Sequence, residues 1–570
     1  MMLQLPNNQV SKAGDGAAVS GGVQTGATYV NTTLPANDCS GCHPDNWDGW
    51  AQTKHAWAWP DLMNTTGDAA NFQTCEVCHS TGAGQPAIYP ADGYDPATNG
   101  PTYLQNITCQ TCHGPASNHI AAPISDPAAK RENISMILNA TLCGSCHNAG
   151  GDISSTHHPT YNEWELSGHN TSATILQRVE GNPDCANCHE AWDAMLHVET
   201  GTYRTEIRLA DEDAPLTWEI SCVVCHDPHS LGSADTQLRV PADELCQKCH
   251  TQEDAAPGVG VHHPQSEVRD NTAGYLTDRS GLDYMDGIAC SKCHMAEDNA
   301  GLPNHTFDPN PYACVTCHGA PAYPDNATAI AYIDDVAMRT NENITETQPY
   351  VDQAEALVEQ MMGNRSDVLS TYRNQCNISV FNLDTVVNDK SSGNHNPLLT
   401  AALLNDSMEK AMAVIGNLTP PGKVTGVVVA AGGDGASIVV TWTASDATDF
   451  AKYRLYVLST SVTNVTSETW DYEVTAQSTE NYTVSGLSPG TYYVYVTAVD
   501  TNGNEITNTL TPTSVTLSKK AGGISSEVLA GIVILIAAIV IVVAALLMRK
   551  KKGPEPAAEP EAAEPEKKEE

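Results

Sequence analysis

Nine times in this chain two cysteines stand three positions apart, with a histidine directly after the second. Numbered 1 to 9 in chain order, the motifs are Cys39-Cys42-His43, Cys75-Cys78-His79, Cys109-Cys112-His113, Cys143-Cys146-His147, Cys185-Cys188-His189, Cys222-Cys225-His226, Cys246-Cys249-His250, Cys290-Cys293-His294 and Cys314-Cys317-His318. Cysteines at i and i+3 share one face of a helical turn, where two thiols can add to the vinyl groups of a porphyrin while the adjacent imidazole reaches its iron. C-x-x-C-H is accordingly the attachment signal of c-type haem. Structural zinc also uses paired C-x-x-C, and secreted domains use cysteines for disulfides, but neither asks for a histidine after every pair. The motifs use all but one of the 19 cysteines, and histidine is only 20 of 570 residues, so nine such adjacencies are no coincidence. The cofactor read from the sequence is haem c, nine times, covalently attached.

Each iron then gains a sixth ligand or stays open, and that choice separates an electron carrier from an enzyme. Eleven histidines lie outside the motifs: His55, His119, His157, His158, His169, His197, His229, His262, His263, His305 and His395. In a soluble protein an isolated histidine is usually a surface or satisfied core residue; here nine irons need partners, and the ten before His395 are candidate distal ligands. If each adjacent pair, His157-His158 and His262-His263, gives one ligand and His395 none, eight ligands meet nine irons and one haem is left open or takes another group. Met295, beside the proximal His294, cannot easily reach the opposite face of that haem. If one pair serves two haems, all nine close. Counting leaves both outcomes standing.

These residues need elements to hold them. Residues 1–36 are rich in Gly, Ala and Thr and read as a linker. The haem segment, 37–324, offers about 31 residues per motif between Cys39 and His318, too few for a conventional core, so the porphyrins must supply much of the buried apolar volume. In 325–419 apolar residues recur at helical spacing, as in YVDQAEALVEQMMGNRSDVLSTYRNQ, giving two or three long helices ended by Pro420 and Pro421. Cys376 falls there, at an expected helix end, as a buried thiol. Residues 420–518 alternate apolar and polar types between Gly, Pro and Asn turns, as in SIVVTW, YRLYVLS and YTVSGLSPGTYYVYVTAVD, the pattern of a β-sandwich with Trp442 in an early strand. After a linker, 519–527, the uncharged run 528–548 is long enough to span a bilayer, and Arg549, Lys550, Lys551 and Lys552 follow at once. The tail, 549–570, is disordered by composition. The fold class is thus multidomain: a mostly helical and irregular multihaem region with C-terminal helices, an all-β sandwich, and one transmembrane helix.

The net charge of −40 excludes binding to nucleic acid by phosphate neutralisation. Haem is attached to such motifs outside the cytoplasmic membrane, so the chain is exported. MMLQLPNNQVSKAG has neither a basic n-region nor an apolar h-region, and the leader is expected upstream of it. Fifteen N-x-[ST] sequons, among them Asn31, Asn106, Asn343 and Asn481, suit a glycosylated outer surface. By the positive-inside rule the basic stop puts the C-terminus in the cytoplasm and everything before the span outside.

Family resemblance enters at these residues. CSGCHPDNWDGWAQTKHA, CEVCHSTG and CQTCHGPASNH resemble the opening of multihaem cytochromes related to the tetrahaem cytochrome c-554 group, and HHPTYNEWELSGHN repeats at Trp164 and His169 the W-x-x-x-x-H spacing of Trp50 and His55. CVVCHDPHS, LCQKCH, HHPQSEV, GIACSKCHMA, NHTFDPNPYACVTCH and SSGNHNPLLTAALL are similar to the pentahaem nitrite reductase and octahaem hydroxylamine oxidoreductase superfamily. The resemblance spans about residues 37–416 and implies C-terminal helices packed on the haem region. It implies that His55, His119, His169, His229, His305 and one of His262 or His263 are distal ligands, often to a haem other than the nearest in sequence. It gives His395, at a helix start, no ligand role. The C-x-x-C-K motif of nitrite reductases is absent, and the cross-linking tyrosine of hydroxylamine oxidoreductases has no placeable counterpart. Residues 420–518 resemble a fibronectin type III domain, and sandwich, sequons, single span and basic stop together resemble archaeal cell-surface proteins.

The preferred functional reading is a membrane-anchored, outward-facing carrier that passes electrons through mainly bis-histidine haems to redox partner proteins or an extracellular acceptor. The alternative is an oxidoreductase acting on nitrite, hydroxylamine, tetrathionate or a similar small species at one open haem. A third is an adhesive or polymerising protein with haems as a conducting lining; homo-oligomerisation stays open.

Overall fold

The computed structural model describes residues 26–66, 73–83, 93–98, 100–135, 138–148, 159–178, 183–203, 218–230, 236–252, 256–283, 285, 287–297, 302–319, 322–361, 366–508, 510–519 and 526–549. His157 and His158 therefore lie outside the described residues. Two compact units divide the chain, one of Met1–Asp352 and Asn374–Ala411, the other of Gln353–Arg373 and Met412–Glu570.

In the first unit each motif sits on a single short turn. The histidine N–H bonds the first cysteine's carbonyl, at 2.8 Å for His43 to Cys39 and His147 to Cys143 and at 3.0 Å for His294 to Cys290. Helices of this length, such as Cys109–His113 and Pro183–His189, are not stable alone. Tertiary contacts hold them, and one contact recurs three times. The Trp50 indole donates to Ile107 O at 3.0 Å, the Trp164 indole to Ile220 O at 2.9 Å, and the Arg269 guanidinium to Ile288 O at 3.2 Å. Each isoleucine stands two residues before a motif cysteine, Cys109, Cys222 or Cys290. Three residues ahead of each donor a backbone N–H returns to a motif histidine: Trp47 to His43, Tyr161 to His147 and Ser266 to His250. The region is thus laid out on a repeat that ties motif 1 to 3, 4 to 6, and 7 to 8.

Three long helices follow: α1, Asn326–Met361; α2, Ser366–Asp389; and α3, Pro397–Leu418. Asn396 caps α3 by accepting the Leu399 N–H at 3.0 Å, with Pro397 at the first helical position. The stretch between α2 and α3 turns sharply because Lys390, Ser392 and Gly393 all adopt positive φ. A Cβ at Gly393 would stand 2.4 Å from Thr340 Oγ1, so only glycine fits there. In α2 and α3, Ser379 and Ser407 hydrogen-bond each other's carbonyls, and the Asn382 amide spans Asp406 and the Tyr275 backbone, which joins the helices to the haem-motif region. Cys376 lies inside α2 rather than at a helix end, because the helix runs on thirteen residues to Asp389; the thiol is buried as expected.

The second unit holds a seven-stranded sandwich: β1, Val428–Ala431; β2, Ser437–Thr441; β3, Phe450–Leu458; β4, Tyr472–Val474; β5, Asn481–Ser485; β6, Gly490–Asp500; and β7, Thr513–Leu517. One sheet has the order β1-β2-β5 and the other β4-β3-β6-β7, all antiparallel. Ile438, Val440, Tyr453, Leu455, Val484 and Val494 are fully buried between them, with Trp442 one residue past β2 packing on Tyr453. The Tyr453 hydroxyl accepts the Ser445 N–H at 2.6 Å and donates to Gln477 O at 2.8 Å. Tyr453→Phe leaves both groups short of a partner and is expected to destabilise the sandwich by about 1–3 kcal/mol, measured as a lower denaturant midpoint with unchanged slope. A final helix, Ser526–Arg549, contains the stretch Glu527–Ala544 with mean hydropathy 3.0, long and apolar enough to cross a membrane.

Candidate functional site

An imidazole nitrogen binds a metal at about 2 Å, so two imidazoles on opposite faces of one iron have ring centres roughly 6 Å apart. The chain places its histidines in that relation repeatedly. Ring centres lie 6.3 Å apart for His43 and His119, 6.2 Å for His147 and His55, 5.8 Å for His113 and His229, and 6.3 Å for His250 and His169. His226 and His305 are 6.5 Å apart, and His294 and His395 are 6.0 Å apart. His189 meets both members of one tandem pair, His262 at 6.3 Å and His263 at 5.6 Å, and ligating atoms of all three lie within 4.8 Å of one another. Each facing pair joins a motif histidine to one outside the motifs, and the partner is remote in sequence. Among the described residues, no histidine ring faces His79 or His318 at this spacing; the ring nearest His318 is Tyr323, edge-on at 5.3 Å.

Hydrogen bonds orient these rings. Nδ1 donates to a backbone carbonyl in His79 (Ala58, 2.7 Å), His113 (Ser135, 2.8 Å), His226 (Thr236, 2.8 Å), His294 (Phe307, 2.6 Å), His119 (Lys130, 2.7 Å) and His305 (Pro303, 2.9 Å). That tautomer leaves the Nε2 lone pair for a metal. Burial pushes the imidazoles of His113 and His169 down to about 4 and lowers those of His55, His226, His250 and His305, so they are neutral at pH 7, as ligation requires. Both His189 nitrogens are buried, and with the Ser172 backbone beside the ring for one of them the other is left for a metal. The residues therefore fit haem iron.

The turns that carry His55 and His169 are built alike. Thr53 precedes the turn Lys54–Trp57 and its hydroxyl donates to Trp50 O at 2.8 Å, and Ser167 precedes Gly168–Thr171 and its hydroxyl donates to Trp164 O at 2.7 Å. The repeated W-x-x-x-x-H spacing is therefore a structural unit in which the indole reaches across to one motif while the histidine faces another.

Two placements differ from the sequence reading. His197, a candidate ligand from the sequence, turns its Nε2 to Lys248 O at 2.7 Å, keeps a buried Nδ1 without a hydrogen-bond partner and lies against Tyr203; among the described residues no motif histidine ring faces it. His395, given no ligand role, is brought to His294 by the tight turn between α2 and α3. Arg269 and the isoleucine carbonyls were also missed, although I-x-C-x-x-C-H at Ile107, Ile220 and Ile288 is a signal readable in the sequence.

The attachment cysteines of different motifs lie near one another. First cysteines pair as Cys39 with Cys109, Cys143 with Cys222 and Cys246 with Cys290; second cysteines pair as Cys78 with Cys146 and Cys188 with Cys249. Cys112 lies close to Cys143, Cys225 to Cys246 and Cys249, and Cys293 to Cys314 and Cys317. The motifs are therefore contiguous in the order 1-3-4-6-7-8-9, with motif 2 beside 4 and motif 5 beside 7.

Comparisons with known proteins agree with this chemistry. The sequence model of the Cytochrome c554 and c-prime family matches residues 38–114, that of the doubled CXXCH motif residues 214–255, and that of the fibronectin type III domain residues 422–515. The multiheme cytochrome MtrA of Shewanella baltica (strain OS185) is 22% identical over 210 residues, 33% of this chain and 59% of its own length. The chain thus spans less than two thirds of the curated relative it matches. Among solved structures, the outer cell wall cytochrome OcwA is 22% identical with TM-score 0.44, over 59% of this chain and 75% of that one. The undecaheme cytochrome from the S-layer of Carboxydothermus ferrireducens is 22% identical with TM-score 0.38, over 59% and 56%. The chain thus joins a haem c-binding region similar to multihaem c-type cytochromes to a fibronectin type III domain and one apolar helix at its C-terminal end.

Proposed function

We propose that the chain carries nine covalently bound haems and passes electrons along them, outside a membrane to which its C-terminal helix anchors it. The unbroken run of neighbouring attachment cysteines carries this reading, because carriers held close together exchange electrons without moving. Bound haem supplies reversible one-electron chemistry, and iron held by two histidines changes charge with little ligand rearrangement. The chain's part is to hold the imidazoles in facing pairs, keep them neutral by burial and fix their tautomers through Nδ1. By sequence position, His157-His158-Pro159 corresponds to His262-His263-Pro264, so one histidine of the former pair is assigned to the iron of His79. Arg549 and the lysines after it place the tail in the cytoplasm and the haem region outside, where a redox protein or an extracellular acceptor can meet it. With a net charge of −40, an electrostatically bound partner is cationic or metal-bearing.

A second reading has one specific support: His318, at the end of the contact order, meets Tyr323 and not a histidine among the described residues. An open iron there would take a small nitrogen or sulfur species. Low-temperature electron paramagnetic resonance of the oxidised full chain, with spin counted against total haem, tests both readings. At least seven of nine irons are expected to be low-spin, one for each facing pair; fewer would remove the ligand pairing on which the carrier rests. Nine of nine low-spin would end the second reading.

A further inference from the structure

Among the described histidines His395 makes the shortest Nδ1 contact with a carboxylate. The acceptor is a carboxylate, Asp389 Oδ1 at 2.6 Å, and that carboxylate is only 1% exposed. The arrangement is closed on itself: the Ser391 hydroxyl donates to Asp389 Oδ2, and the His395 backbone N–H donates to Ser391 Oγ at 3.0 Å. The Gln265 amide donates to Asn388 O at 3.1 Å and Asp389 O at 3.2 Å, fixing the end of α2. His229 has a weaker counterpart, its Nδ1 3.3 Å from a partly exposed Asp227.

A full charge on the acceptor strengthens the hydrogen bond and makes the imidazole a better donor to a metal, which favours the more positive oxidation state. A buried carboxylate acts more strongly than a solvated one. The other charges near this pair do not cancel it: Arg269, which reaches Cys290 Sγ at 3.2 Å, is bound to Asp270 through two bonds of 2.5 and 2.6 Å, and Lys390 is exposed.

We propose that Asp389 is a positioning residue that aims His395 at the iron of His294 and, through the charged hydrogen bond, gives that iron a lower reduction potential than the irons whose histidines donate to backbone carbonyls. The inference rests on His395 being a ligand, as in the pairing above. Its consequence is a step in potential at motif 8, between motif 7 and the terminal motif 9, that biases which way electrons rest along the chain.

The experiment is a redox titration of the haem-loaded full chain followed by electron paramagnetic resonance, on the wild type, Asp389→Asn, Ser391→Ala and His395→Ala. Asp389→Asn is expected to keep every iron low-spin and to make one iron about tenfold easier to reduce, with its g-values moved and the others unchanged. Ser391→Ala removes a donor from the carboxylate, concentrates its charge on Nδ1–H and is expected to shift the same iron the opposite way. His395→Ala is expected to turn one iron high-spin. If His395→Ala leaves all irons low-spin, the ligand pairing fails and the proposal with it. If His395→Ala gives a high-spin iron while Asp389→Asn moves no potential, the pairing stands and the role of Asp389 is overturned. A shift of equal sign in Asp389→Asn and Ser391→Ala likewise overturns it, since loss of aim alone would explain both.

Discussion

His55→Ala is expected to convert one haem in nine from low- to high-spin, and to slow electron passage through the chain more than loss of any other histidine outside the motifs. The His55 ring lies opposite His147, and motif 4 is a branch point, neighbouring motifs 2, 3 and 6 through Cys78, Cys112 and Cys222. An iron altered there interrupts the only contiguous route between motifs 3 and 6 among these contacts. The backbone at His55 does not depend on its imidazole: its carbonyl accepts the Ile107 N–H at 3.1 Å, and Ile107 is held in turn by Trp50. The substitution therefore removes a ligand and leaves a hole of imidazole size. Added imidazole is expected to restore the low-spin signal and the rate of reduction of the distal haems, both followed optically in stopped flow. His197→Ala is the control, since among the described residues the ring beside His197 is Tyr203 and not a motif histidine, and it is expected to leave every iron low-spin. A high-spin iron in the control, or none in His55→Ala, would reverse these assignments.

What the sequence discloses and what it hides divide along a physical line. Attachment is local: two thiols and an imidazole on one turn, legible at every motif. The sandwich is legible too, because alternation along SIVVT matches burial of Ile438 and Val440 against a half-exposed Val439. Ligation is tertiary. His147 faces a histidine ninety-two positions before it, and His294 one 101 positions after it, so no local pattern records the partner. The tally of histidines stayed ambiguous because it weighed candidates by type. Geometry separates them by the ring each one faces, which among the described residues sets His197 apart and brings in His395. Arg269 escaped notice for the converse reason. It does with a guanidinium what Trp50 and Trp164 do with indoles, and only the carbonyl they share, two residues before a cysteine, shows the three to be equivalent.

Chain made without haem attachment is expected to lose the fold of its motif region while keeping the sandwich. The sandwich has a core of its own, in which ten buried residues, Ile438 to Leu517, pack between two sheets. Among the described residues of the motif region, buried apolar groups form small clusters such as one of six residues around Ala191, Trp218 and Val224 and one of four around Tyr29 and Leu104. Each cluster is too small to offset the chain entropy of the segment around it, at about 1–2 kcal/mol per ordered residue. Groups that oppose folding are buried beside them: the Glu76 carboxylate, inside motif 2, has no hydrogen-bond partner and burial raises its carboxyl above the usual range, and both His189 nitrogens are out of reach of water. Without iron to take the imidazoles and porphyrin to fill the space between paired turns, these costs stand uncompensated. Hydrogen exchange read by mass spectrometry on chain secreted without haem-attachment enzymes should show exchange within seconds across 38–319. Residues 428–517 should stay protected as in the haem-loaded chain, with helical circular dichroism reduced accordingly. Equal protection of 38–319 in both forms would mean that the polypeptide supplies its own core, and the haems would then be guests in a scaffold instead of its filling.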